Sequence, residues 1–86
     1  MAARKFAIAK QLGGKRVITN KGEEIGRLLD IQINEGNGDL ESFVVEPSAE
    51  SKLAHALARD GDTITIPFKA VFSISDVIVV DESLLH

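Results

Sequence analysis

Glycine-centred turn signals divide this chain into short segments: Gly13-Gly14, Asn20-Lys21-Gly22, Gly36-Asn37-Gly38 and Asp60-Gly61-Asp62. The stretches between them are rich in β-branched residues, a combination that predicts a small all-β barrel or sandwich. Lys15 to Thr19 reads as a short strand that Asn20-Lys21-Gly22 turns back. Glu24 to Asn34 is the longest candidate strand. Its Ile25, Leu29, Ile31 and Ile33 are apolar and its Asp30, Gln32 and Asn34 polar, which predicts one buried face. Gly26 interrupts this strand, and a glycine there marks a bulge or a close backbone approach. Glu35-Gly36-Asn37-Gly38 closes a hairpin, since glycine and asparagine admit the positive φ angles of such turns. The return strand, Asp39 to Glu46, carries Leu40, Phe43, Val44 and Val45 and stops at Pro47, which cannot donate to a ladder.

One helix is predicted, from Ser48 to Arg59. Ser48 is its expected N-cap, Glu50 favours the positive end of its dipole, and Asp60-Gly61 stops it. Ala49, Leu53, Ala56 and Leu57 form its apolar stripe. Asp62 to Pro67 alternates, with Ile64, Ile66 and Phe68 on one face. Val77 to Val80 is continuously apolar, so both of its faces want cover; an antiparallel sheet that wets one face would alternate. Either a helix or loop of the same chain covers the second face, or another subunit does. An uncovered edge of this kind invites aggregation, and the expectation is a homodimer. The predicted partner or dimer surface is Phe72, Val77, Ile78, Val79, Val80, Leu84 and Leu85. Gly14, Gly22, Gly26, Gly36, Gly38, Pro47, Gly61 and Pro67 are the expected turn or bulge positions.

With 86 residues the sequence holds one domain, 1–86, and no second core. Residues 1–9 read as an initial strand or a flexible basic arm, and 83–86 as a tail. Reactive side chains are scarce. Zero Cys excludes disulfides, Cys-ligated metal and thiol nucleophiles, and two His cannot by themselves supply a metal site. Glu23 and Glu24 are adjacent, so in a strand they point to opposite faces and cannot converge on one bond. The serines lack a nucleophile-elbow setting, and His55, on a short Ala-rich helix, reads as a surface residue rather than a general base. Glu35 to Asp39 lacks the calcium-loop spacing, and Gly13-Gly14-Lys15 lacks the rest of a phosphate loop. No catalytic residue, cofactor or metal site is predicted. The chain reads as a binding module, not an enzyme.

Charge is unevenly spread. Residues 1–22 carry six cations (Arg4, Lys5, Lys10, Lys15, Arg16 and Lys21) and no acid, whereas the remainder carries four cations and thirteen acids. Such an arm either meets an anionic partner or pairs with the acidic body and keeps the chain soluble. The acidic body and the absence of Trp and Tyr argue against nucleic acid. No apolar run approaches the ~18–20 residues of a membrane span, and the start lacks the apolar segment of a secretory signal. A cytoplasmic protein is expected.

The ordered segments resemble the PRC-barrel family. Leu12-Gly13-Gly14-Lys15-Arg16-Val17-Ile18 followed by Gly22-Glu23-Glu24-Ile25-Gly26-Arg27-Leu28-Leu29-Asp30-Ile31 is similar to its opening. Gly38 to Val45, Ile64 to Val71 and Ile74 to Val80 resemble its later strands, with Ser75 standing where the family often has glycine. The resemblance implies a small antiparallel PRC-barrel, mainly all-β, of about five to six strands. One short helix would be inserted before the penultimate strands. It is similar to the short stand-alone archaeal members and to cell-division adaptors of the CdpB type. That implies a non-enzymatic adaptor of the FtsZ-based division machinery, at mid-cell. Its partners would be SepF and sister PRC-barrel proteins, with FtsZ and the membrane reached only indirectly. A ribosome- or RNA-processing factor of the RimM kind is the alternative.

Overall fold

Four of the six strands follow the turn signals closely. The computed structural model describes residues 10–57 and 61–85. In chain order its elements are β1 (Arg16–Thr19), β2 (Glu24–Ile33), β3 (Leu40–Pro47), α1 (Lys52–Ala56), β4 (Ile64–Pro67), β5 (Val71–Ile74) and β6 (Ile78–Val80). Short 3-10 turns occupy Phe68–Ala70 and Glu82–Leu84. The strands form one sheet in the order β4-β3-β2-β1-β6-β5.

The expected antiparallel sheet is mixed. β1 to β4 form an antiparallel meander and β5 and β6 pair antiparallel, but β6 lies parallel to β1. These directions mean that β4 and β5 run the same way relative to the sheet, so the Phe68–Ala70 turn is a corner and not a reversal. A 3-10 turn rises only about 2 Å per residue. The two ends of the sheet are therefore drawn together at this corner, and the sheet curls into a barrel that backbone pairing leaves open between β4 and β5.

Bulges provide the curl. Between β1 and β2 the register moves from Val17 opposite Gly26 to Ile18 opposite Glu24, leaving Ile25 as the extra residue. Between β2 and β3 it moves from Leu28 opposite Val45 to Asp30 opposite Val44, leaving Leu29 extra. Each insertion bends its strand and flips the alternation. Hence Leu28 is buried and Leu29 is 51% exposed, the reverse of the regular period-two reading. Ile25 and Ile31 are fully buried, as that reading required, and Ile33 is half-buried.

Gly26 sits beside the first of these bulges, opposite Pro47. A Cβ built there would overlap the carbonyl oxygen of Glu46 and lie 2.8 Å from its carbonyl carbon. This is the close approach that an in-strand glycine signals. At the β2–β3 hairpin only Gly38 takes a positive φ (+78°). Asn37 does not; its Oδ1 accepts from Asp39 N at 2.9 Å, while Asn34 Oδ1 accepts from Gly36 N at 2.8 Å. Gly14, Gly22 and Gly61 are the other left-handed turn positions.

The helix is shorter than expected and begins later. Ser51, not Ser48, is its cap: Ser51 Oγ accepts from Ala54 N at 3.0 Å. Ser48 instead forms the preceding turn, its carbonyl accepting from Ser51 N at 3.1 Å and its hydroxyl from Glu50 N. Glu50 thus falls before the first turn. With five residues the helix turns little more than once, so its covered face is Ala54 and Leu57 with Leu53 half-buried, while Ala49 and Ala56 are exposed. The expected end at Arg59 and Asp60 lies outside the described residues. Residues 10–12 are also helical, so α1 is not the only helical segment. The initial strand or arm at 1–9 lies outside the described residues.

One core fills the curl. Val17, Ile25, Leu28, Ile31, Phe43, Val45, Ile64, Ile66, Ile78 and Val80 come from the sheet, Ala54 and Leu57 from the helical segment, and Ala70 from the corner. Phe68 places its ring edge-on to Phe43, centroids 5.8 Å apart, which seats the corner against the core.

Candidate interaction edges

The apolar run near the C-terminus does not form a free surface. β6 is an interior strand, with Val17, Ile18 and Thr19 of β1 on one side and Val71, Ser73 and Ile74 of β5 on the other. Ile78 and Val80 are fully buried in this chain's own core, and Val77 and Val79 are half-buried. The expectation that Ile78 and Val80 meet a partner is therefore corrected: the curl of the same chain covers them. Ile78 and Val80 point into the core, while Val79 on the opposite face is half-covered.

The exposed apolar residues lie one strand further out. Among the described residues β5 ends the sheet, paired with β6 alone. Its register moves from Val71 opposite Val80 to Ser73 opposite Val79, so Phe72 is the extra residue. Bulges re-aim side chains, and this one leaves Phe72 70% exposed. Ile74, which the sequence reading missed, is exposed beside it. A short Val-Phe-Ser-Ile strand between two turns was the available signal, masked by the stronger hydrophobic run that follows.

The peptide groups of this edge can be assigned from the neighbouring bonds. Asp81 N donates to Ala70 O at 2.7 Å, and Ser75 N donates to Val77 O at 2.9 Å. Ala70 and Ser75 therefore turn toward β6, and because antiparallel ladders alternate, Val71 and Ile74 turn outward. The Val71 N–H is taken by the Phe68 carbonyl at the corner. Val71 C=O and both backbone groups of Ile74 face the open edge.

The other end of the sheet, β4, borders a shallow groove of about 350 Å³. Leu57 and β4 line one part of it, Leu84 and Leu85 another, and Lys69 joins them. Residues 83–85, expected as a tail, belong to a fixed turn. Asp81 Oδ1 accepts from Ser83 N at 3.0 Å, and Glu82 N donates to Asn20 Oδ1 at 3.1 Å, tying the turn to the β1–β2 connection.

Among the described residues, two cations of the basic segment meet the acidic body: Arg16 Nε lies 2.9 Å from Glu24 Oε2 and Lys21 Nζ 3.9 Å from Glu82 Oε2. Both pairs sit at the surface, where such contacts are worth under about 1 kcal/mol. They orient charge more than they stabilise. Hydroxyls and the imidazole serve local structure. Ser42 Oγ donates to Gln32 Oε1, Ser51 caps α1, and His55 Nε2 donates to Ala49 O at 3.0 Å. Among the described residues no group of three His, Cys, Asp or Glu could hold a metal ion, and no helix is long and apolar enough to cross a membrane.

Comparison with known proteins agrees with this architecture. The PRC-barrel domain matches residues 6–85. An uncharacterized protein of Methanocaldococcus jannaschii is 40% identical over 78 residues, which make up 91% of this chain and 84% of that relative. Both matches span the bulged opening strands, the corner and the closing hairpin, and on that ground the chain belongs to the PRC-barrel domain family.

Proposed function

We propose that this chain is a non-enzymatic adaptor of the archaeal FtsZ-based division machinery. It docks SepF or sister PRC-barrel proteins through an open end of its sheet, in the cytoplasm at mid-cell. The observation that carries the reading is that, among the described residues, the sheet ends at β4 and at β5. Next to β4 lies the apolar groove bounded by Leu84 and Leu85. A strand added at a sheet end gains backbone hydrogen bonds, and neighbouring pockets select its side chains. The groove beside β4 supplies that selection. Membrane attachment and contact with FtsZ follow from the partner. The RNA-factor alternative draws on the basic segment, and the pairing of Arg16 with Glu24 and Lys21 with Glu82 weakens it.

The test is calorimetric titration of purified SepF from the same organism into this chain, with Leu84→Asp as the variant. The expected result is saturable binding that Leu84→Asp weakens by at least about tenfold, the order seen when an anchoring apolar contact is lost. No heat of binding at about 100 μM of each protein would overturn the reading. A steeply salt-dependent affinity for RNA would transfer support to the alternative.

A further inference from the structure

We infer that two copies of this chain pair antiparallel through β5, about a two-fold axis between Phe72 and Ser73. Lys69 of each copy then faces Asp76 of the other. This inference does not depend on which heterologous partner the β4 groove receives.

Three observations meet at this edge. First, Val71–Ile74 contains no charge and no proline, the devices that natural edge strands use to refuse further pairing. β4, by contrast, ends in Pro67. Second, the bulge makes the edge symmetric. In a regular strand, residues three apart face opposite sides; the extra residue Phe72 lets both Val71 and Ile74 face outward. They flank the proposed axis evenly. The Ile74 N–H of each copy is thereby opposite the free Val71 carbonyl of the other, and the two exposed Phe72 side chains come together at the centre. Isologous contacts require this kind of self-complementarity.

Third, charge selects the orientation. Lys69 precedes β5, Asp76 follows it, both are exposed, and neither enters an ion pair among the described residues. An antiparallel second copy sets Lys69 opposite Asp76 twice, whereas a parallel copy would set like against like. A strand with opposite charges at its two ends complements itself in one direction only. Because each strand is four residues long, the contact belongs with small interfaces, which are weak or transient. The dimer is therefore reversible and depends on concentration.

Sedimentation velocity over about 1–500 μM tests this, with circular dichroism to verify each fold. The wild type is expected to shift from monomer to dimer across that range, and Phe72→Asp to stay monomeric with an unchanged spectrum. Lys69→Glu and Asp76→Lys should each weaken self-association by about tenfold, as facing like charges do. An equimolar mixture of these two variants should dimerise like the wild type, because each restores the other's contacts. A wild type that is monomeric at 500 μM would overturn the inference. So would a dimer that both charge variants and Phe72→Asp leave unchanged, or charge variants that mixing fails to rescue.

Discussion

At the scale of the residue, Gly26 shows how directly a single position can report on the fold. A glycine inside an otherwise regular strand pattern implies that something comes too close for a side chain, and the Glu46 carbonyl is that neighbour. Because the obstruction is backbone, it cannot swing aside. Gly26→Ala is expected to destabilise the domain by about 3 kcal/mol, the upper part of the usual overpacking range. Chemical denaturation should show this as a lower midpoint at unchanged slope. A midpoint equal to that of the wild type would mean that β2 and β3 are not held at this separation. Leu29 is the opposite case. It is as apolar as Leu28, yet the first is exposed and the second buried, because the register shift between them depends on the partner strand. A pattern read along one strand carries no information about that shift.

At the scale of the element, turn chemistry was the legible part. The boundaries of β1 to β4 fall within a residue or two of the glycine and proline signals, and five of the six strands occupy segments predicted for them; β5, which no such signal marks, does not. What stayed hidden was their order in the sheet. β6 has the more apolar sequence, which predicts a surface covered by a partner, but it lies between β1 and β5. Length explains the helix in the same way: Ser48 and Ser51 are both credible caps, and only packing of Ala54 and Leu57 on the core decides between them. The consequence for mutagenesis is sharp. Ile78→Asp puts an unpaired charge into the core of a domain whose whole stability is of the order of 5–15 kcal/mol. It is expected to unfold the protein. Phe72→Asp alters a mostly exposed side chain and should change stability by less than about 0.5 kcal/mol. Thermal unfolding of the two variants side by side checks this. Equal losses of stability would contradict the assignment of β6 to the interior and β5 to the edge.

At the scale of the whole molecule, the described residues leave the barrel unpaired between β4 and β5. The corner joins β4 to β5 end to end without pairing them, so the sheet has two unlike borders: a groove beside β4 and the uncharged edge strand β5. The claim that β5 is an open border, closed by association, is tested most directly by amide hydrogen exchange measured as a function of protein concentration. The account predicts that the Ile74 amide exchanges rapidly in dilute solution and becomes protected as concentration rises. The strand amides of the buried β6 residues Ile78 and Val80 should be slow throughout, as amides of core strands are. An Ile74 amide whose exchange is the same at every concentration would contradict it.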